Sequence, residues 1–300
     1  MRASSLGFFS SVQKALGLGF LCLLAFGAQL AIAGEVTLQS IRSQALGADY
    51  RFTIYLPDGY QSGRLRYPVL FLLHGNGGDE NEWLVSGQVQ PTADALIRDG
   101  RVQPFIIVMP GGGSSWWVDG NKDKAETALI KELIPHIDST YRTISERSGR
   151  MVAGLSAGGF GTVNAAFKYP ELFISAAALS PAIYSPVPPA HSSANRVAPF
   201  QKDGKFDQAS WDRLNYTANW DAYKAKKVVV PMYINSGDHD TFSIAYHAAG
   251  LFQKLFEYQA KQVEFRVVDG DHEWSVWRDS IGDAIKYMTG FASRPQGVKP

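Results

Sequence analysis

Gly154-Leu155-Ser156-Ala157-Gly158 sets a hydroxyl between two glycines, directly after the apolar run 150–153 and before a small-residue stretch ending near Lys168. Strand, tight turn and helix in that order is the setting in which a G-x-S-x-G serine is held out from the chain as a nucleophile. Such a turn strains its central residue, and the positions two before and two after it must lack side chains that would collide. Gly154 and Gly158 meet that need, while Gly159 and Gly161 let the helix pack close enough to bring its N-terminal amides beside Ser156. A glycine turn without chemistry has the same five letters, so it is the flanking strand and helix that favour the nucleophile.

A serine hydroxyl needs a base to take its proton and a carboxylate to orient that base. His272 is the best-placed base, because it follows the last apolar run in Val268-Asp269-Gly270-Asp271-His272, at the strand end that would reach the Ser156 edge. The acid is expected after the preceding strand, where Asn235-Ser236-Gly237-Asp238-His239-Asp240 offers Asp238 and Asp240. His239 and His247 stand too near these carboxylates to fit the order serine, acid, histidine. Asp238-His239-Asp240 can also be read as metal ligands, but no second His/Asp cluster with ligand spacing accompanies it, and no metal or cofactor is expected.

Attack on a carbonyl creates an oxyanion, which aimed backbone amides stabilise. Ala157 supplies one N–H, and the loop His74-Gly75-Asn76-Gly77-Gly78 supplies the second, through Gly75 or Asn76. His74 is read as the brace of that loop rather than an acid or base. Trp116 and Trp117, after Met109-Pro110-Gly111-Gly112-Gly113-Ser114-Ser115, and Trp274, just after His272, are the candidate substrate contacts.

Positioning these residues requires a sheet. Apolar runs at 69–73, 105–109, 151–153, 174–179, 228–234 and 263–268 read as buried strands, and 50–56 alternates as a half-buried one. Helical spacing appears between and after them, at 127–139 (with Pro135 expected to kink or end it), 244–258 and 274–288. Strands alternating with helices imply an α/β fold, a mainly parallel sheet covered on both faces. One long segment interrupts the alternation: residues 181–227 carry five prolines and several aromatics, and read as an insertion near the site, either a pocket wall or a structural flap.

The 300 residues, 45% apolar and 19% charged with formal charge +1, suit one sizeable globular domain. No basic run marks a nucleic-acid or anionic-lipid surface. Residues 1–33 read as an export signal: Arg2 and Lys14 precede an apolar stretch, and Ala31-Ile32-Ala33 is a small-x-small cleavage site. The expected mature chain spans a domain at 34–290 and a frayed tail at 291–300. It lacks the lone Cys22 and keeps no stable membrane insertion, its destination being the periplasm or the medium. The oligomeric state is not legible.

HGNGG, PGGGSSWW, ELIPHIDSTYRT, GLSAGG followed by KYPELF, SGDHD and GDHEWSVW, in this order, resemble the esterase D family of α/β-hydrolases. That family includes feruloyl and acetyl esterases, short-chain lipid esterases, S-formylglutathione hydrolases and mycolyltransferase antigens. The resemblance runs from Tyr50 to about Met288. It implies the α/β-hydrolase fold, a Ser156, Asp240 and His272 triad, and an oxyanion hole of Ala157 with the HGNGG loop. It also implies carboxylic esters, small or part of a carbohydrate or lipid, as substrates. An acyltransferase with a sugar or other alcohol as acceptor is the alternative, and a non-catalytic binding protein on the same scaffold a remote one. The segment 181–227 departs from the compact members and leaves the substrate open.

Overall fold

A computed structural model of the chain describes residues 33–297. The signal reading for residues 1–33, with Cys22, lies outside them except for Ala33. The strands are β1 (Glu35–Ser43), β2 (Ala48–Leu56), β3 (Val69–Leu73), β4 (Ile106–Pro110), β5 (Arg150–Leu155), β6 (Ser175–Leu179), β7 (Gln201–Lys202), β8 (Lys205–Phe206), β9 (Met232–Gly237) and β10 (Val263–Val268). Apart from the small β7–β8 hairpin they form one sheet in the order β1-β2-β4-β3-β5-β6-β9-β10. β2 is antiparallel to both β1 and β4, and every later pair is parallel. This is the doubly covered α/β-hydrolase sheet.

Successive residues of each central strand feed opposite cores. Val69, Phe71 and Leu73 join the face packed by α5 (Ala157–Lys168) and α8 (Ile244–Gln259). Leu70 and Leu72 join the face packed by α2 (Val89–Arg98) and α9 (Trp274–Thr289). Burial on both faces removes the polar alternation that otherwise marks a strand, and each large apolar side chain so enclosed contributes about 1.5–3 kcal/mol.

Several expectations need correction. β2 is not half-buried: paired on both sides, it is enclosed from Phe52 to Leu56. β10 is not buried, because it ends the sheet order with one neighbour; Val267 is 53% exposed. β9 starts at Met232, later than the apolar run at 228 suggests. Pro135 does not end its helical run, which continues to Thr140; a wide-turn stretch at Ala128–Leu133 lies directly before it, an irregularity that accommodates the missing interior N–H. Residues 291–296 are tied down: Ser293 N–H donates to Ser148 O at 2.8 Å, and Gln296 exchanges hydrogen bonds with Arg66.

The insertion 181–227 folds as short helices, including Gln208–Leu214 and Trp220–Lys226. Its aromatics pack on α5: Tyr223 stacks on Phe167 with ring centres 4.5 Å apart, and Trp211 on Phe160 at 5.4 Å.

Candidate active site

Ser156 joins β5 to α5 with φ 52° and ψ −116°, a conformation that non-glycine residues adopt at a cost of about 1–3 kcal/mol. The surroundings impose it. Its N–H donates to Leu179 O at 2.9 Å, and its carbonyl accepts from Phe160 N–H at 2.9 Å and Ala182 N–H at 3.0 Å. A Cβ at Gly154 would stand 2.5 Å from the Gly158 backbone, and one at Gly158 the same distance from the carbonyl oxygens of Leu73 and His74. Both glycines are therefore steric requirements of the turn.

Ser156 Oγ lies 2.9 Å from His272 Nε2, and His272 Nδ1 lies 2.7 Å from Asp240 Oδ2. With Nδ1–H donating to the carboxylate, Nε2 is the free acceptor for the serine proton. The Asp240 side chain is fully buried, and its other oxygen accepts Phe242 N–H at 3.0 Å. Asp238 points elsewhere: it is exposed, its Oδ1 accepts Gly270 N–H at 3.1 Å, and His239 Nδ1 is 2.8 Å away. That amide bond holds its carboxyl below the usual range. Asp238 and His239 approach Asp269 rather than Asp240, in an exposed trio. The metal reading of Asp238-His239-Asp240 therefore does not describe one cluster.

On the other side of β5, the loop 74–78 is clamped. His74 is buried and bridges: Nδ1 donates to Gly75 O at 2.6 Å, while Nε2 accepts Gly112 N–H at 2.7 Å. Burial lowers its pKa to about 4, so the ring is neutral and fits this donor–acceptor pattern. Trp116 and Trp117 both have left-handed backbones, φ 55° and 60°. Their indole N–H groups donate to Asn76 Oδ1 at 3.0 Å and His74 O at 3.1 Å. Ala157, as first residue of α5, has an N–H without an intrahelical acceptor. A Cβ at Gly75 would lie 3.7 Å from Ser156 Cβ. The Gly75–Asn76 backbone thus lies beside Ser156, lining the same cleft.

A cleft of about 260 Å³ opens beside Ser156 and His272. Trp116 and Trp274 line it; Trp117 does not. Its ring turns behind the loop, 4.9 Å from the His74 ring, because its indole is taken up by the His74 carbonyl. The sequence reading missed other wall residues: Tyr184, Ser192 and Ser193 from the insertion, Phe242, Trp277 and Glu82. It also missed Asp271, whose Oδ1 accepts the N–H groups of His272 at 2.7 Å and Thr241 at 3.1 Å. Only the aromatic wealth of 181–227 hinted at such walls; nothing in residue type singled out Glu82 or Asp271.

Comparison with known proteins gives consistent likenesses. A family model described as "Putative esterase" matches residues 43–288. An endo-1,4-beta-xylanase/feruloyl esterase of Xylanibacter ruminicola is 36% identical over 162 residues, 51% of this chain and 22% of that protein. An esterase of Mycobacterium tuberculosis is 38% identical over 147 residues, 46% of this chain and 30% of its own length. The chain therefore spans under a third of these relatives. Among solved structures, a ferulic acid esterase superposes with a TM-score of 0.77 at 25% identity, covering 87% of this chain and 98% of that one.

Proposed function

The chain belongs to this esterase family, and from that premise we propose that it is an exported serine carboxylesterase working through an acyl-enzyme on Ser156. The observation that carries the reading is the continuous run from Ser156 Oγ to His272 Nε2, 2.9 Å, and from His272 Nδ1 to Asp240 Oδ2, 2.7 Å, at the wall of an aromatic cleft. In this mechanism His272 takes the Ser156 proton as Oγ attacks the ester carbonyl carbon. The oxyanion accepts hydrogen bonds from Ala157 N–H and from the Gly75–Asn76 backbone, each aimed donor being worth roughly 3 kcal/mol in the transition state. As the tetrahedral intermediate collapses, His272 gives its proton to the departing alkoxide. A water deprotonated by the same nitrogen then attacks the acyl carbon, releasing the acid and restoring Ser156. Asp240 keeps the tautomer and faces the imidazolium that forms twice per cycle.

The cleft suits an ester with a flat or apolar portion among Trp116, Trp274 and Trp277. The names of the relatives favour a feruloyl ester of a carbohydrate. Export rests on residues 1–33, whose apolar stretch and Ala31-Ile32-Ala33 suit removal at a membrane. Among the described residues no helix is long and apolar enough to cross one.

Rates for a panel of acetyl, butyryl, octanoyl and feruloyl esters, with and without glycerol or glucose, test the proposal. Hydrolysis of short or aryl esters, lost in Ser156→Ala, is the expected result. Products dominated by acylated glycerol or glucose would make it a transferase, and full activity in Ser156→Ala would defeat the reading.

A further inference from the structure

The acidic run Asp79-Glu80-Asn81-Glu82 follows the clamped loop, and its three carboxylates meet different fates. Asp79 is exposed and accepts Asn81 N–H at 2.7 Å. Glu80 is buried against Arg51, with Nη2 2.6 Å from Oε1. Glu82 has no cation and no hydrogen-bond donor on its carboxylate among the described residues, yet it lines the cleft that holds Ser156 and His272. Its burial, and then the charge of Asp79, push its pKa above the ordinary value.

The fold holds Glu82 there. Its neighbour Trp83 is buried and donates its indole N–H to Leu73 O at 3.0 Å, which fixes the turn Glu82–Val85 to the end of β3. Gly78 leaves the room: a Cβ there would collide with the Glu82 carboxylate and lie 2.7 Å from His74 Nδ1. Among the described residues the cleft lining contains no Lys or Arg, and His74, whose Nδ1 borders the same space at Gly78, is neutral. A carboxylate in a partly desolvated pocket without a counter-ion repels any second anion placed beside it.

We propose that Glu82 sets the charge selectivity of the cleft, so that neutral esters are accepted and esters carrying a carboxylate are rejected. This rests on the esterase reading and deepens it. At an effective dielectric of about 20, repulsion between unit charges about 6–12 Å apart amounts to a discrimination of about tenfold to a hundredfold.

Two matched substrate pairs test it: p-nitrophenyl butyrate against mono-p-nitrophenyl succinate, with the charge on the acyl part, and phenyl acetate against 4-acetoxybenzoate, with the charge on the alcohol part. In Glu82→Gln the anionic-to-neutral ratio of kcat/KM is expected to rise about tenfold or more for at least one pair, while Glu82→Asp keeps a ratio near that of the wild type. Added salt should raise the wild-type ratio and leave that of Glu82→Gln nearly flat. A ratio that stays put in both pairs, or rates that fall in common for charged and neutral esters, would overturn the proposal. No turnover of any of the four esters by the wild type, with Ser156 unlabelled by a fluorophosphonate, would instead overturn the esterase reading and this proposal with it.

Discussion

Loop 74–78 and the paired loops 238–242 and 269–272 approach Ser156 from opposite sides of β5, and they are braced by different chemistry. The first is held by neutral groups: two buried indoles donating N–H, the buried His74 ring and, at its exposed tip, Gly77 N–H on Gly113 O at 2.8 Å. The second is held by two carboxylates, exposed Asp238 and half-buried Asp271, which accept Gly270 N–H and Thr241 N–H across the two loops, Asp271 also accepting its neighbour His272 N–H. Those bonds keep both carboxyls below their usual pKa. The contrast follows the work proposed for each side. Amides that meet an oxyanion must already stand in place before charge develops, and a dry, neutral clamp supplies that without a competing charge. The side that passes protons keeps its one charged partner, Asp240, buried beneath His272.

The contrast breaks most visibly at the proton-carrying side. Ser156→Ala or His272→Ala is expected to lower kcat for ester hydrolysis by roughly 10⁴-fold or more, and Asp240→Asn by roughly 10³- to 10⁴-fold. Asp238→Asn, its neighbour in the loop, should cost less than about tenfold. Steady-state rates on one activated ester separate these two aspartates.

On the clamped side, Trp116→Phe keeps a ring and deletes one N–H, loosening Asn76. A fall in kcat of about tenfold to a hundredfold is expected, smaller than the loss of a whole oxyanion donor, with a parallel loss of affinity for a boronic acid inhibitor. Trp117→Phe leaves the His74 carbonyl unpaired in a buried site and should cost about 1–3 kcal/mol of stability in urea unfolding.

Acid sharpens the comparison further. The His74 pKa is depressed to about 4, so the unfolded chain binds the proton first as pH falls. Stability supplied by the neutral ring is full above about pH 6.5 and drains away toward about pH 4, a loss on the order of 3 kcal/mol. Asp238 and Asp271 act in the same sense at lower pH: their contribution is present above the ordinary carboxylate pKa and is lost as pH falls through their depressed values. Urea midpoints across pH, with His74→Gln flattening the upper part of the acid loss, check the order. The smallest effect is expected from Asp271→Asn, about two- to fivefold in kcat through slight misplacement of His272.

What the sequence made legible is what permits few residue types. The elbow demands Gly154 and Gly158, the loop after β3 demands glycines, and chain order brings a late histidine to the same rim. Strand edges were harder, since an apolar run such as 263–268 has the same letters in the middle of a sheet or at its end. β1 was missed because Glu35–Ser43 is an edge strand with many polar residues. Trp117 does not line the cleft as expected, because adjacent indoles look alike in sequence and only the fold shows that Trp117 is taken up by the His74 carbonyl. The walls from 181–227 depend on the path of a loop held by aromatic packing against α5, which no local spacing encodes. Glu82 could not be told from Asp79 and Glu80 until Arg51 was seen to meet only one of them.

The central claim is that Ser156 carries the acyl group between two half-reactions. Rapid-quench mass spectrometry of the enzyme mixed with a p-nitrophenyl ester reads this directly. The account predicts an acyl adduct on the peptide containing Ser156, formed in step with a burst of nitrophenol and absent in Ser156→Ala. Steady ester turnover with no adduct on that peptide, and with the same rate in Ser156→Ala, would contradict it.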